Sequence, residues 1–245
     1  MQQHAFIMEA ITGVIYLVLG VRLFWFSRRP VQPSKRLIGL ALLIWALGYA
    51  LYDIPYAFTE SGELVSPFFS YASVLVFNLG NVVFAMFTQE VFRKHERWAG
   101  WLVVAIAICQ LLGSAGSALV GDWEQTDPLA NPGYWPQSLA ALAPALWLGI
   151  EGLRYAFNAR RRLALGFFEP LTRHRILLLG LAGALWSCLE IVIITQDFIY
   201  INVGDWSLSL GIVNGLLEIV PITMLWLAFF PPARYRRWIE AAAPA

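Results

Sequence analysis

Residues 176 to 198 read ILLLGLAGALWSCLEIVIITQDF. Apart from Glu190 and Asp197 the stretch carries no charge, and it is long enough to cross a hydrocarbon core of roughly 30 Å as one helix. Arg173 and Arg175 precede it and Asp205 follows it. Working outward, six more runs of the same kind appear: Ala5 to Ser27, Leu37 to Ala57, Val65 to Phe92, Trp98 to Val120, Pro136 to Asn158 and Trp206 to Phe230. The reading is an all-α membrane protein, a seven-transmembrane-helix bundle forming one domain over residues 1–245.

The charges between the runs orient it. All 17 Lys and Arg residues fall into four clusters. These are Arg22 to Arg36, Arg93 to Arg97, Arg154 to Arg175, and Arg234 to Arg237, and they sit in or beside alternate gaps. The other gaps hold only acids: Glu60 and Glu63, then Asp122, Glu124 and Asp127, then Asp197 and Asp205. Basic residues near span ends stay on the cytoplasmic side, so the N-terminus is expected outside and the C-terminus in the cytoplasm. The first run lacks a basic n-region and a small-residue cleavage site, and is expected to be a retained helix.

Composition narrows the class. A chain of 245 residues that is 59% hydrophobic and 13% charged leaves no room for a soluble domain beside seven spans. The net charge of +1 conceals basic residues gathered on one face. That face is expected to meet anionic headgroups of the bilayer, with Arg160, Arg161, Arg162, Arg173 and Arg175 as the lipid or partner contacts and no nucleic acid involved. The connection from Asn158 to Arg175 is expected to lie in the interface plane. The segment from Gly121 to Gln137, with Trp123, Tyr134 and Trp135, reads as an interfacial loop with its rings at headgroup level. Cys109 and Cys188 both fall within spans, so no disulfide framework is expected.

Intramembrane carboxylates carry the functional signal, because an ionised acid in hydrocarbon costs at least about 2.5 kcal/mol on insertion scales. Glu218 lies about 18 Å into the seventh run at 1.5 Å per residue. It shares a helical stripe with Ser207, Gly211, Asn214 and Pro221. Glu190 lies in the outer half of the sixth run, on a face with Gly180, Gly183, Ser187 and Asp197. Polar stripes must turn inward, since lipid offers no hydrogen bonds. Asn78 and Asn81 on the third run, and Glu9 and Asp53 near the outer ends of the first two, complete an expected outward-opening acidic cavity. Any ligand of such a cavity is expected to be a cation, a protonated amine or a neutral molecule held by hydrogen bonds. The plain structural reading is that Glu190 and Glu218 tie helices together through hydrogen bonds. Glu151, one turn from Arg154, is expected to pair with it.

Several classes are disfavoured. A retinal Schiff base needs an intramembrane lysine, whereas Lys35 and Lys94 are both expected in inner loops. Asp-Arg-Tyr is absent from the end of the third run and Asn-Pro-x-x-Tyr from the seventh. No histidine stands at membrane depth, so no metal site and no cofactor is expected, nor an enzyme.

The stretch Trp45-Ala46-Leu47-Gly48-Tyr49-Ala50-Leu51 resembles the second helix of the N-terminal seven-helix sensor regions of bacterial histidine kinases and diguanylate cyclases. Glu151-Gly-Leu-Arg154-Tyr155, then Arg160-Arg161-Arg162-Leu163-Ala-Leu-Gly166, Pro170 and Arg175, is similar to stand-alone bacterial seven-helix proteins without assigned function. The resemblance implies signal perception in a bacterial inner membrane. Few residues follow the seventh run, so any signal is expected to pass to a separate cytoplasmic partner. The leading expectation is a receptor-like or sensory protein. A proton- or cation-coupled transporter or channel, and an accessory subunit of a membrane complex, are the alternatives.

Overall fold

The computed structural model describes residues 2–26, 33–57, 67–121, 128–164, 169–203 and 208–241. They form α1 (Gln2–Phe26), α2 (Pro33–Ala57), α3 (Pro67–Phe92), α4 (Arg97–Val120), α5 (Tyr134–Ala164), α6 (Pro170–Val203), α7 (Leu208–Phe229) and α8 (Ala233–Ala241), with no strand among the described residues. Proline opens α2, α3 and α6, where its missing N–H costs no intrahelical bond and its fixed φ suits the first turn. Gly121 closes α4 at φ 72°, a left-handed conformation in which a Cβ is strained, and its N–H returns to the Ala118 carbonyl.

Among the described residues four segments are long and apolar enough to cross a membrane: Pro33–Tyr52, Pro67–Phe92, Arg97–Val120 and Pro170–Ile199. A fifth counts if α7 and α8 are taken together across their 80° bend. This is the make-up of a multi-pass membrane protein. In α1 the apolar part described is the shorter Ala10–Trp25, and α5 is diluted by Glu151 and Arg154. The outer surface is correspondingly apolar: Val14, Leu17 and Val18 on α1 and Leu111, Leu112 and Leu119 on α4 are all exposed. A surface of this kind is matched by lipid tails rather than by water.

Six helices close a ring in which α1 packs on α2 and α7, α2 on α3, α3 on α5, α5 on α6 and α6 on α7. Because α3 reaches α5 directly, α4 lies outside the ring, packed on both. Small residues set the closest approaches. A Cβ on Gly152 would fall 2.5 Å from the Gly180 Cα, and one on Gly183 would fall 2.5 Å from the Gly149 N, so α5 and α6 touch backbone to backbone. Gly113 and Gly116 likewise seat α4 against Gly133 and Gln137.

Several sequence expectations change. The connection from Asn158 to Arg175 is mostly helix, since α5 continues to Ala164 and α6 begins at Pro170. Arg173 and Arg175 therefore stand on α6 instead of in an interfacial segment, and Arg173 Nε donates to the Ala156 carbonyl at 3.4 Å. Lys35 likewise belongs to the first turn of α2. Glu151 is joined by Arg93 instead of Arg154: Arg93 Nε and Nη2 donate to its two oxygens at 2.9 Å each. The planar fork at the end of α3 meets both carboxylate oxygens of α5, while Arg154 is exposed. Past the last span, α8 sets Tyr235 against His174 and leaves Trp238 exposed.

Candidate functional site

A cavity of about 380 Å³ opens within the ring, with walls from α1, α2, α3, α5, α6 and α7 and none from α4. Aromatic rings build its walls. Trp45 lies 5.7 Å from Tyr16 and 5.8 Å from Trp186, centroid to centroid, and Trp186 meets Phe84 edge to face at 5.4 Å. Tyr49 stands perpendicular to Phe77 at 5.0 Å. Glycine makes this arrangement fit: a Cβ on Gly80 would fall 2.4 Å from Trp45 Cδ1, and one on Gly48 would fall 2.9 Å from the Phe77 ring. The sequence WALGYAL thus places Trp45 and Tyr49 at i and i+4 on the cavity face of α2.

Among the described residues three carboxyl groups line this space, Glu190 and Asp197 from α6 and Glu218 from α7, and no Lys or Arg does. Their partners differ. Glu218 Oε1 accepts from the Tyr49 hydroxyl at 2.7 Å and its Oε2 from Thr12 Oγ1 at 3.0 Å, so one acid joins α7 to α2 and to α1. Asp197 Oδ2 accepts from the Tyr134 hydroxyl at 2.7 Å. Glu190 has no hydrogen-bond or ion-pair partner among the described residues. Across the cavity Asn81 is likewise without a side-chain partner there, whereas Asn78 Nδ2 donates to Ser114 Oγ at 2.8 Å and so holds α3 to α4.

Of the residues chosen from sequence, Glu190, Glu218, Asn78 and Asn81 come together on one cavity. Asn214 does not: it forms a two-way amide pair with Gln196, at 2.9 and 3.3 Å, that clips α7 to α6 away from the cavity walls. The side chains of Glu9, Asp53, Arg160, Arg161 and Arg162 lie outside the described residues. Arg175 lines a separate pocket at the opposite end of the bundle.

Tyr134 departs most from its expected place at the headgroups. It is 1% exposed, turned into the cavity by the first turn of α5. The turn before it folds back on α4, with Asn131 buried, its Oδ1 accepting from the Gly133 N–H at 2.8 Å and its Nδ2 donating to Ser117 Oγ at 3.1 Å. The aromatic lining escaped the sequence because rings at helical spacing face lipid, core or cavity with equal ease. Only the notches at Gly48 and Gly80 could have signalled it.

An acidic cavity walled by π-faces, with no Lys or Arg among its described lining residues, presents two attractions for an organic cation, ion pairing and the ring quadrupole. No family model, curated protein or solved structure matches this chain.

Proposed function

We propose that this chain is a seven-helix receptor-like protein of a bacterial inner membrane that binds a small organic cation in its acidic, aromatic cavity. The N-terminus faces outside and the basic clusters face the cytoplasm, which puts the cavity on the outer half. Binding there biases the bundle, and the basic end meets a separate signalling partner. The role is one of recognition, without a resident cofactor or metal.

The observation that carries this reading is the contrast among the three acids. Glu218 and Asp197 are occupied by tyrosine and threonine hydroxyls, while Glu190 lines the same cavity as Trp186, Trp45 and Asn81 with no hydrogen-bond or ion-pair partner among the described residues. A carboxylate removed from bulk water without a partner is costly, and a bound cation offsets that cost. Aromatic faces add about 0.5 to 2 kcal/mol for each well-placed ring.

The test uses tetramethylammonium and its neutral isostere, a tert-butyl alcohol of matched size, on protein purified in neutral detergent. Tetramethylammonium is expected to raise the melting temperature of the wild type and the isostere is not. Glu190→Gln should keep the ligand-free melting temperature and lose the shift. An equal shift from the isostere, or full retention of the shift in the variant, would refute recognition of a cation by Glu190.

A further inference from the structure

At the other end of the ring a second pocket, of about 200 Å³, lies between the first turns of α2 and α6 and the last turns of α3 and α7. Its polar lining is Ser34 and Lys35 from α2 with Thr172 and Arg175 from α6; the remaining walls are apolar, led by Phe87 and Phe229. Neither Lys35 nor Arg175 has an ion-pair or hydrogen-bond partner among the described residues. The Arg175 Nε is buried and unsatisfied, which is costly for a charged donor. Glu169, nearby in sequence, is exposed and accepts from Thr172 Oγ1 at 2.7 Å, with no ion pair to Lys35 or Arg175 among the described residues. Two cations from different helices thus line one pocket without a described counter-ion. Ordinary ion-pair packing would have supplied each with a carboxylate, as Glu151 does for Arg93.

We infer that this pocket binds a phosphate group, with the Arg175 guanidinium and the Lys35 ammonium on the phosphate oxygens and the Ser34 hydroxyl as a further donor. The planar guanidinium fork matches a phosphate edge, and the ammonium is a point charge beside it. The apolar walls admit the glycerol and first methylenes of a phospholipid, and the same polar groups accept free phosphate. The site lies apart from the acidic cavity and does not depend on what that cavity binds.

Two arms separate the sources. In the first, protein in neutral detergent is titrated with phosphatidic acid, phosphatidylglycerol or phosphatidylcholine and adducts are counted by native mass spectrometry. In the second, inorganic phosphate is titrated against chloride at equal ionic strength and the melting temperature is read. Lys35→Gln and Arg175→Gln should each weaken binding about tenfold or more, the loss carried by one charge-assisted hydrogen bond. Arg154→Gln, which removes an exposed charge on α5, should change it less than about twofold. Sensitive binding in the lipid arm assigns the site to a headgroup, and in the phosphate arm to a soluble anion. Binding in neither arm, or equal weakening by all three substitutions, overturns the proposal. Should Arg175→Gln fail to fold, Lys35→Gln against Lys35→Arg decides, with only the arginine expected to retain binding.

Discussion

Replacing Glu218 by leucine should loosen three helices at once. In the native bundle its two oxygens receive Tyr49 from α2 at 2.7 Å and Thr12 from α1 at 3.0 Å, and Thr12 is fully buried. Interhelical hydrogen bonds within membranes contribute about 0.6 kcal/mol on average and up to about 1.7. Losing two of them, with the Thr12 hydroxyl left without its acceptor, gives an expected cost of about 1 to 3 kcal/mol. Glu218→Gln keeps one accepting oxygen and offers an amide donor to the second hydroxyl, so it should cost less than about 1 kcal/mol. Tyr49→Phe should cost about 0.6 to 1.7 kcal/mol in the native background and distinctly less once Glu218 is leucine. The assay is reversible unfolding of the purified protein by sodium dodecyl sulfate in mixed micelles, followed by helical circular dichroism. Strict additivity of Tyr49→Phe and Glu218→Leu would refute the reasoning, as would a glutamine variant as unstable as the leucine one.

Three other outcomes are expected. Both amide atoms of Gln110 on α4 are buried without a partner among the described residues, so Gln110→Leu should stabilise the bundle by about 1 to 3 kcal/mol in the same unfolding assay; destabilisation would show that the amide is satisfied. A Cβ at position 180 would lie 2.5 Å from the Leu153 N, a backbone atom that cannot turn aside. Gly180→Ala should therefore cost about 1 to 3 kcal/mol, and unchanged stability would mean that α5 and α6 are not in backbone contact. Single cysteines at Gly62 and Asn158 should be labelled by an impermeant maleimide from outside and from the cytoplasmic side respectively, the reverse pattern inverting the topology.

What was legible in the sequence followed from solvation. An acid in an apolar run must turn from lipid, so Glu190 and Glu218 pointed inward on depth alone, and the i, i+3 pair Asn78 and Asn81 followed by the same logic. What was not legible required knowing which helix lies beside which. Arg93 and Arg154 are both within reach of Glu151 on paper, and only the contact of α3 with α5 selects Arg93. Asn214 lies one turn from Glu218 on the same stripe, yet the neighbour it meets is Gln196. Helix starts were misplaced where basic residues were read as loop: Pro33 and Pro170 are first-turn prolines, and they draw Lys35, Arg173 and Arg175 onto helices. The pocket between Lys35 and Arg175 exists only because of that shift.

The layer between the two pockets bears on the choice between receptor and transporter. Phe84 borders the acidic cavity and Phe87, one turn further along α3, borders the basic pocket. At this level Leu42, Phe87, Leu148 and Leu225 are buried in one continuous apolar cluster. The hydroxyl of Thr88, the polar group closest in sequence, is spent on the Phe84 carbonyl at 3.3 Å. A cation leaving Glu190 for the far end would lose its carboxyl partners and its water together in that layer, where an unpaired charge is most costly. The backbones of α5 and α6 are in contact at Gly149, Gly152, Gly180 and Gly183, so in any alternating motion the two would have to rock as one body. A receptor needs no passage through the apolar layer. It requires only that the ligand bind one packing of the bundle better than another, and the hydroxyl ties on Glu218 hold α7 to α1 and α2 beside the cavity that Glu190 also lines.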